Sequence, residues 1–304
     1  MTTQATAMVL ASFAADSLAL GAHWIYDTDV IDQRIGRVDT LHAPLPDSYH
    51  AGKKSGQFTH YGDQALVLLE SLASTGAFSL PDFAASWQQL FADYNGYVDK
   101  ATSTTLDNRS RNLPLDRCGS TSSDLGGAAR IAPLVYRYQY DREALLTAAL
   151  QQTAFTHNNP ATLAGAVFIA RTAWAVLQGA DPVSAMEQAL EEGVDDIDLD
   201  IRIRGGLDSG GKDTRTVIKK FGQMCGIAAA LPGAIHLIVT YTKDLKNALI
   251  ENVMAGGDSA ARGMVAGMIL GAHLGATAVP AAWLADMEKT DTIIALLGSI
   301  DNRI

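Results

Sequence analysis

The chain has 304 residues and a formal net charge of −10, and apolar residues make up 48% of it. This composition is sufficient for a sizeable hydrophobic core, while the acidic balance argues against a nucleic-acid groove, which would need a basic face. The two cysteines, Cys118 and Cys225, are too few for a disulfide scaffold and lack C-x-x-C spacing. The N-terminus has no basic segment before an apolar core, and Asp16 interrupts its apolar run, so we expect a cytoplasmic protein without a membrane partner.

Helical periodicity recurs along the chain, and few runs alternate strictly enough to predict strands. An alanine-rich helix is predicted over residues 5–22, and another over 63–75. Pro81, at a first helical position, opens a helix that continues through Phe91. The polar, Ser/Thr-rich segment 99–125 is predicted to be a long loop. The acidic run 195–200 is interpreted as a solvated loop, because it lacks calcium-loop spacing.

The rest of the chain is also predicted to be mostly helical. The glycine-rich run 205–212 is expected to form a flexible connection. Further helices are expected at 126–138, 142–154, 160–177, 182–192, 213–230, 232–240, 243–254, 258–274 and 279–288. Since neither a solenoid repeat nor a linker between two cores is evident, the sequence predicts one compact, nearly all-α domain over residues 1–304.

The segment 256–263 reads Gly-Gly-Asp-Ser-Ala-Ala-Arg-Gly and is the most informative part of the sequence. Its two leading glycines permit a tight turn close to a ligand, and Asp258 then meets the positive end of a helix dipole. Taken alone, the segment favours Asp258 as a helix N-cap with Arg262 as its surface partner. A stripe of small residues follows at four-residue spacing and is predicted to face another helix at short range. The stripe consists of Gly263, Gly267, Gly271 and Gly275.

Four segments in the same order resemble the ADP-ribosylglycohydrolase family. The glycine-striped stretch 247–275 resembles the family's C-terminal signature, which opens G-G-D-T-D-T. Asp16-Ser17-Leu18-Ala19 stands where the family has G-D-A-L-G, 130–134 matches M-R-I-A-P-L, and 156–160 matches T-H-x-x-P. The H-W-I-Y and Y-G-D-Q segments resemble the branch that includes the J-type lens crystallins. The resemblance covers almost the whole chain and implies an all-α fold, a single multi-helix bundle domain.

In that family, two magnesium ions lie among the oxygens of T-D-D-T and D-T-D-T. Here the first motif aligns with His60-Tyr61-Gly62-Asp63, and in the second Ala260 and Ala261 replace Asp and Thr. Asp258 remains, with Asp63 displaced by one position, and these carboxylates are too few to offset the dehydration of two magnesium ions. We therefore expect no magnesium pair and no other metal or cofactor, with magnesium only as the less favoured alternative.

The resemblance also implies a set of site residues. His23 aligns with a family glutamate and would act as acid or base, while Asp63 or Asp258 would orient water. Arg262 offers a planar fork for phosphate or carboxylate. The ligand-binding residues implied by the resemblance are Asp16, His60, Tyr61, His157, Ser259 and Arg262. Because a lone buried histidine is more often structural, the hypothesis depends on these side chains converging on one pocket.

The function that the resemblance implies is binding of ADP-ribose or a related small nucleotide or glycoside. Any activity would belong to the ADP-ribosyl-acceptor hydrolase class and would cleave a glycosidic bond without the two magnesium ions. The alternative is a non-enzymatic, crystallin-like protein that keeps the fold for binding or packing. A third interpretation, with one weak metal ion and residual activity, is the least favoured. The sequence indicates no oligomeric state.

Overall fold

The computed structural model describes residues 3–303 and is 66% helical. In chain order its α-helices are α1 (Gln4–Ala19), α2 (Thr28–Arg34), α3 (His60–Thr75), α4 (Leu80–Ala92), α5 (Lys100–Ser110), α6 (Gly126–Ala129), α7 (Ala132–Arg137), α8 (Arg142–Thr156), α9 (Pro160–Leu177), α10 (Pro182–Glu191), α11 (Ile197–Leu207), α12 (Thr214–Phe221), α13 (Ile227–Thr240), α14 (Leu245–Met254), α15 (Ser259–Leu274), α16 (Ala281–Asp286) and α17 (Thr290–Asp301). Short 3₁₀ turns follow α1 and α15. Over residues 3–303 the fold is an all-α bundle without strands, as predicted.

Helices α1 and α15 pack against each other at the centre of the bundle. A Cβ added to Gly267 would lie 2.6 Å from the Ala11 carbonyl oxygen, and one added to Gly271 would lie 2.6 Å from Ala11 Cβ. Gly263 faces Ala15, and Gly275 ends α15 by donating its N–H to the Gly271 carbonyl. The predicted short-range contact with another helix is therefore confirmed for Gly263, Gly267 and Gly271, and the partner is α1, whereas a Cβ on Gly275 would come no closer than 3.9 Å to Gln4.

Buried apolar side chains from most helices form one cluster, which extends from Ala5 to Ile300. Within residues 3–303, two helices are long and apolar enough to cross a bilayer, over Gln4–Ala22 and Pro160–Leu177. The first is 94% buried and the second 61% buried inside the fold. Both are core helices here, since a helix that is apolar all round is the kind that a large core encloses.

Three segments that were predicted to be loops or flexible connections are partly helical. The segment 99–125 includes α5, because Asp99 accepts the Thr102 N–H and caps the helix N-terminus. The run 195–200 and the glycines at 205 and 206 belong largely to α11, which Asp196 caps. The burial pattern of α11 explains why its acidic run was wrongly predicted to be a loop. Leu199 and Ile203 are buried on one face, while aspartates pair with arginines four residues on along the exposed face.

Helix boundaries differ from the prediction at three further places. The helix predicted over 126–138 is divided into α6 and α7, and the helix predicted over 213–230 stops at Phe221. Residues 222–226 break the chain there, and Pro232 then lies inside α13 instead of starting a helix. Helices α2 and α17 were not predicted, because their short or mixed apolar patterns give a weak periodic signal.

Candidate functional site

The candidate site lies where the start of α15 meets the end of α1. Asp258 caps α15, its carboxylate accepting the Ala261 N–H at 3.1 Å, and its own N–H donates to the Gln223 carbonyl at 2.9 Å. Gly256 and Gly257 both have φ of 71°, and a Cβ on Gly257 would collide with the Gln223 backbone. The two glycines thus allow the turn that seats Asp258 against the 222–226 segment.

Tyr61 joins two buried carboxylates. Its hydroxyl lies 3.0 Å from Asp258 Oδ2 and 3.1 Å from Asp124 Oδ2, although the three residues belong to distant segments. Gly126 allows this arrangement, because a Cβ there would overlap the Tyr61 ring. Cys225 completes the group, its sulfur lying within 4.8 Å of an oxygen from each carboxylate.

Burial dominates the electrostatics of this group. It raises the pKa of Asp124 to about 7, with the nearby charge of Asp258 as the second cause, and it raises the pKa of Asp258 as well. Burial also raises the pKa values of Tyr61 and Cys225, so the phenol and the thiol stay protonated. Because two carboxylates this close resist double ionisation, the pair binds a proton more readily than two separate aspartates would.

Beside the carboxylates lies a cluster of three buried histidines, His23, His50 and His60. Each offers a ring nitrogen within 4.8 Å of the others. His50 Nε2 lies 3.3 Å from His60 Nδ1, and His60 Nε2 lies 3.2 Å from Asp99 Oδ2, at an angle outside hydrogen-bond geometry. His23 has no hydrogen-bond partner on either nitrogen, and its Nδ1 is 3.9 Å from Asp258 Oδ1.

The histidines differ in charge state. Burial lowers the pKa of His23 well below its ordinary value and that of His50 to about 3, and the neighbouring histidines add to both effects. Burial also opposes the charged form of His60, but the Asp99 carboxylate beside it raises its pKa overall. His23 and His50 are therefore neutral near pH 7, which leaves lone pairs available in the cluster.

The rings of Trp24, Tyr49 and Tyr97 form an aromatic wall over the histidines. The Trp24 ring stacks on His23 with ring centroids 4.5 Å apart, and the Tyr49 and Tyr97 rings meet Trp24 edge-on at 5.2 and 4.9 Å. Trp24 has a φ of 63°, which is rare for a bulky residue. A cavity of about 770 Å³ lies outside this wall and is lined by Tyr49, His50 and Tyr97 among others, so the histidine cluster borders open space.

Asp63 does not join His23 and Asp258, contrary to the prediction that the three share a pocket. Its Oδ2 lies 2.5 Å from Lys53 Nζ and 2.6 Å from the Tyr94 hydroxyl, which donates to it. The register of α3 explains the difference. Tyr61 and Asp63 lie two positions apart in the first turn and leave a helix in different directions, so only Tyr61 reaches Asp258.

Arg262 is buried, so it is not the surface partner of Asp258 that its position suggested. Its guanidinium donates to the Asn252 side chain and to the carbonyls of Asn252 and Gly256, which fixes the turn before Asp258. The Ser259 hydroxyl is buried without a hydrogen-bond partner. Arg262 Nη1 is also buried without a partner, but the Nε and Nη2 side of the guanidinium is occupied by Asn252 and Gly256, so the expected two-pronged anion fork is not free.

Asp16 and His157 lie near the site but make structural contacts. The Asp16 carboxylate accepts the Thr59 N–H at 2.8 Å and the Thr59 hydroxyl at 2.5 Å, which anchors the N-terminus of α3. His157 Nδ1 lies 2.9 Å from the Thr156 hydroxyl, and its ring lies where a Cβ on Gly127 would be. Of the predicted residues, the structure gathers His23, His60, Tyr61 and Asp258 around one point.

Four residues of this site were not predicted or carried little weight. His50 and Asp99 stand in segments without a motif, and Cys225 lies in a break that was expected to be helical. Asp124, like Asp99, lies in the segment 99–125, which was predicted to be a long loop and carries several other charged residues, so its charge pattern gave no signal for the site.

The residues present do not fit two magnesium ions. Where hard oxygen ligands are needed, the described chain offers imidazoles, the thiol of Cys225 and two methyl side chains at Ala260 and Ala261. Asp124 and Asp258 remain as carboxylates, but the Tyr61 hydroxyl is hydrogen-bonded to both. The site therefore has a chemistry different from a di-magnesium centre.

Comparisons with known proteins agree with this architecture. The sequence model of the family described as ADP-ribosylglycohydrolase matches residues 2–304. An uncharacterized protein of Archaeoglobus fulgidus is 27% identical over 81% of this chain and 80% of its own length, and Crystallin J1A of Tripedalia cystophora is 22% identical over 96% and 94%. A solved structure titled "ADP-ribosylglycohydrolase-related protein complex" superposes with a TM-score of 0.78 at 21% identity, covering 99% of this chain and 97% of that one. The chain belongs to the ADP-ribosylglycohydrolase family.

Proposed function

We propose that the protein binds ADP-ribose, or a related nucleotide or glycoside, against the carboxylates of Asp124 and Asp258. The observation that carries this proposal is the Tyr61 hydroxyl that holds the two buried carboxylates together. A buried pair of like charges costs stability, and such pairs concentrate at functional sites. Carboxylates are also the natural acceptors for ribose hydroxyls.

A cavity beside the two carboxylates offers contacts for the base or sugar and for the phosphates of such a ligand. Gln223, whose carbonyl accepts the Asp258 N–H, also lines a cavity of about 580 Å³ together with Tyr26 and Lys219. Tyr26 is 40% exposed and offers an aromatic face to a base or sugar, while the exposed Lys219 ammonium offers a charge to phosphate.

The same carboxylates support cleavage of a glycosidic bond. Hydrolysis through an oxocarbenium-like state uses one carboxyl to protonate the leaving oxygen and another to orient or activate water. Asp124, whose pKa burial raises to about 7, is the carboxyl that protonates the leaving oxygen, and Asp258 keeps its predicted role of orienting water. Burial lowers the pKa of His23, so this residue does not take the acid role that was predicted for it. No step requires magnesium.

Calorimetry with ADP-ribose tests the binding. Asp124→Asn is expected to weaken binding at least about tenfold, since a charge-assisted hydrogen bond is worth roughly 1.5–3 kcal/mol. Lys219→Ala is expected to weaken ADP-ribose binding more than ribose binding. The matched control is Asp63→Asn, which removes a carboxylate outside the pair and leaves affinity unchanged. Equal affinity in Asp124→Asn and the wild type contradicts the proposal.

A second candidate is a non-enzymatic protein that retains the fold for binding or packing. The loss of the magnesium ligands and the 22% identity to Crystallin J1A favour it. Incubation with N- and O-linked ADP-ribosyl substrates, without added magnesium, separates the two. Release of ADP-ribose by the wild type but not by Asp258→Asn supports an enzyme. Binding without release supports the second candidate.

A further inference from the structure

We propose that His23, His50 and His60 form a binding site for one divalent transition-metal ion, with zinc as the fitting ion. The nitrogens that these residues offer all lie within 4.8 Å of one another, in the buried cluster beneath the aromatic wall. Three imidazoles with an open fourth position are a donor set that zinc accepts and magnesium does not. This proposal is independent of the proposed ADP-ribose binding.

Unmet hydrogen bonding is the first observation behind this proposal. Five polar atoms in this region are buried without a hydrogen-bond partner. They are both nitrogens of His23, Nδ1 of His50, Nε2 of His60 and Oδ2 of Asp99. Buried polar atoms are nearly always paired, so the His23 ring, which lies beside His50 and His60 with neither nitrogen paired, indicates a group that it would bind. The unpaired nitrogens of His50 and His60 are those opposite the 3.3 Å contact between the two rings, and His60 Nε2 lies 3.2 Å from Asp99 Oδ2. The low pKa values of His23 and His50 leave their lone pairs free of protons.

The spacing of the ring nitrogens is the second observation. Zinc–nitrogen bonds of ~2.0–2.1 Å at tetrahedral angles place neighbouring ligand nitrogens ~3.3 Å apart. His50 Nε2 and His60 Nδ1 are already 3.3 Å apart. The nitrogens that the three residues offer lie at most 4.8 Å apart, so each distance exceeds the tetrahedral spacing by at most about 1.5 Å, a gap that movement of the His23 ring can close. No hydrogen bond holds that ring in place.

Asp99 provides the outer contact that such sites use. If His60 binds the ion through Nδ1, its Nε2–H faces the Asp99 carboxylate, 3.2 Å away, and a small ring rotation aligns the two. A carboxylate behind a ligating histidine fixes its tautomer and raises its basicity. Lys53 and Arg262 bring positive charge near the cluster, and the Lys53 ammonium is paired with the Asp63 carboxylate. His50 lines the 770 Å³ cavity, which gives an ion a path to the cluster.

Metal analysis of tag-free protein tests the site. Protein dialysed against zinc and then against metal-free buffer is expected to retain one zinc per chain by mass spectrometry. His23→Gln, His50→Gln and His60→Gln are each expected to lose it, and circular dichroism checks that each variant folds. His273→Gln, a histidine outside the cluster, serves as the control and retains the ion.

Two further measurements test the zinc site even if one of the histidine variants fails to fold. Cobalt in place of zinc is expected to give the visible absorption of a nitrogen-bound tetrahedral ion in the wild type, and Asp99→Asn is expected to lower zinc affinity 10–100-fold. Cys225→Ser is expected to retain zinc, because its thiol belongs to the neighbouring group. No stoichiometric zinc in the wild type overturns the proposal, as does zinc that is lost in Cys225→Ser and kept in His50→Gln.

Discussion

The Tyr61 hydroxyl lies 3.0 Å from the carboxylate of Asp258, although 197 positions of sequence separate the two residues. This bond connects the first turn of α3 to the N-cap of α15, and the same hydroxyl reaches Asp124. A phenol whose pKa is raised by burial remains a donor, so it neutralises part of the repulsion between the two carboxylates.

Tyr61→Phe is therefore expected to destabilise the protein by about 1–3 kcal/mol, the cost of leaving buried acceptors unsatisfied. Urea denaturation followed by circular dichroism measures this, and calorimetry is expected to show weaker ADP-ribose binding. Tyr136→Phe is the matched control. It removes a phenol that donates to Asp301 away from the site, so it changes stability without changing affinity. Unaltered stability of Tyr61→Phe would show that the bond contributes nothing.

The contact between α1 and α15 gives a second prediction. Gly267→Ala places a methyl group 2.6 Å from the Ala11 carbonyl oxygen, which belongs to a rigid helix backbone. Overpacking of this kind costs about 1–3 kcal/mol and outweighs the better helix propensity of alanine.

The matched control for this prediction is Gly298→Ala, also within a helix, where an added Cβ meets nothing within 4 Å. We expect this variant to be stabilised by up to ~1 kcal/mol. Thermal unfolding of both variants checks the contrast. Equal melting temperatures for the two alanine variants would contradict close packing at Gly267.

Asp16 gives a prediction about pH. Burial raises its pKa to about 6, partly opposed by the hydrogen bonds from Thr59, so the folded protein holds this proton more tightly than the unfolded chain. The contribution of Asp16 to stability is therefore present at low pH and lost as the pH rises from about 4 to about 6.

Asp16→Asn removes this titration. Over that interval the stability of Asp16→Asn is expected to rise relative to the wild type by roughly 3 kcal/mol, in line with a shift of about two pH units. Urea denaturation at a series of pH values measures the difference, and the exposed Asp82→Asn variant controls for substitution of an aspartate. Parallel curves for Asp16→Asn and the wild type would exclude the raised pKa.

Magnesium gives the fourth prediction. The melting temperature of metal-free protein is expected to stay unchanged in millimolar magnesium, because an ion that does not bind the native state cannot stabilise it. Restoring Asp at 260 and Thr at 261 is not expected to create magnesium binding, since His60, Tyr61 and Gly62 still replace the partner motif. An activity that needs magnesium specifically, and returns when only magnesium is added back, would overturn this prediction.

Local signals in the sequence predicted the fold well where one physical cause dominates. Pro81 marked the start of α4 to within one residue, and the glycines of α15 indicated a close helix neighbour. The prediction failed for α11, where acidic residues suggested a loop. There the aspartate–arginine pairs four residues apart stabilise the exposed face, and that effect is visible only once the helix is assumed.

The site was harder to predict than the fold, because its members meet through tertiary packing. The family resemblance identified Asp258 and Tyr61, since each stands in a recognisable motif. His50 and Asp124 lie in irregular segments, where spacing carries no geometric information. Asp63 shows that a motif alone can also mislead. Its place in a motif suggested a role in the site, but the helix register directs its carboxylate to Lys53.

The pairing of α1 with α15 has a consequence during synthesis. The apolar segment Gln4–Ala22 is synthesised well before residues 259–274, which form the helix that covers its glycine-facing side. Other helices that precede α15, among them α3 and α7, also contact this segment, but its glycine-facing side stays uncovered until α15 is made. We expect the nascent chain to expose this apolar face while the intervening residues are synthesised, and a chain that stops before α15 to be prone to aggregation.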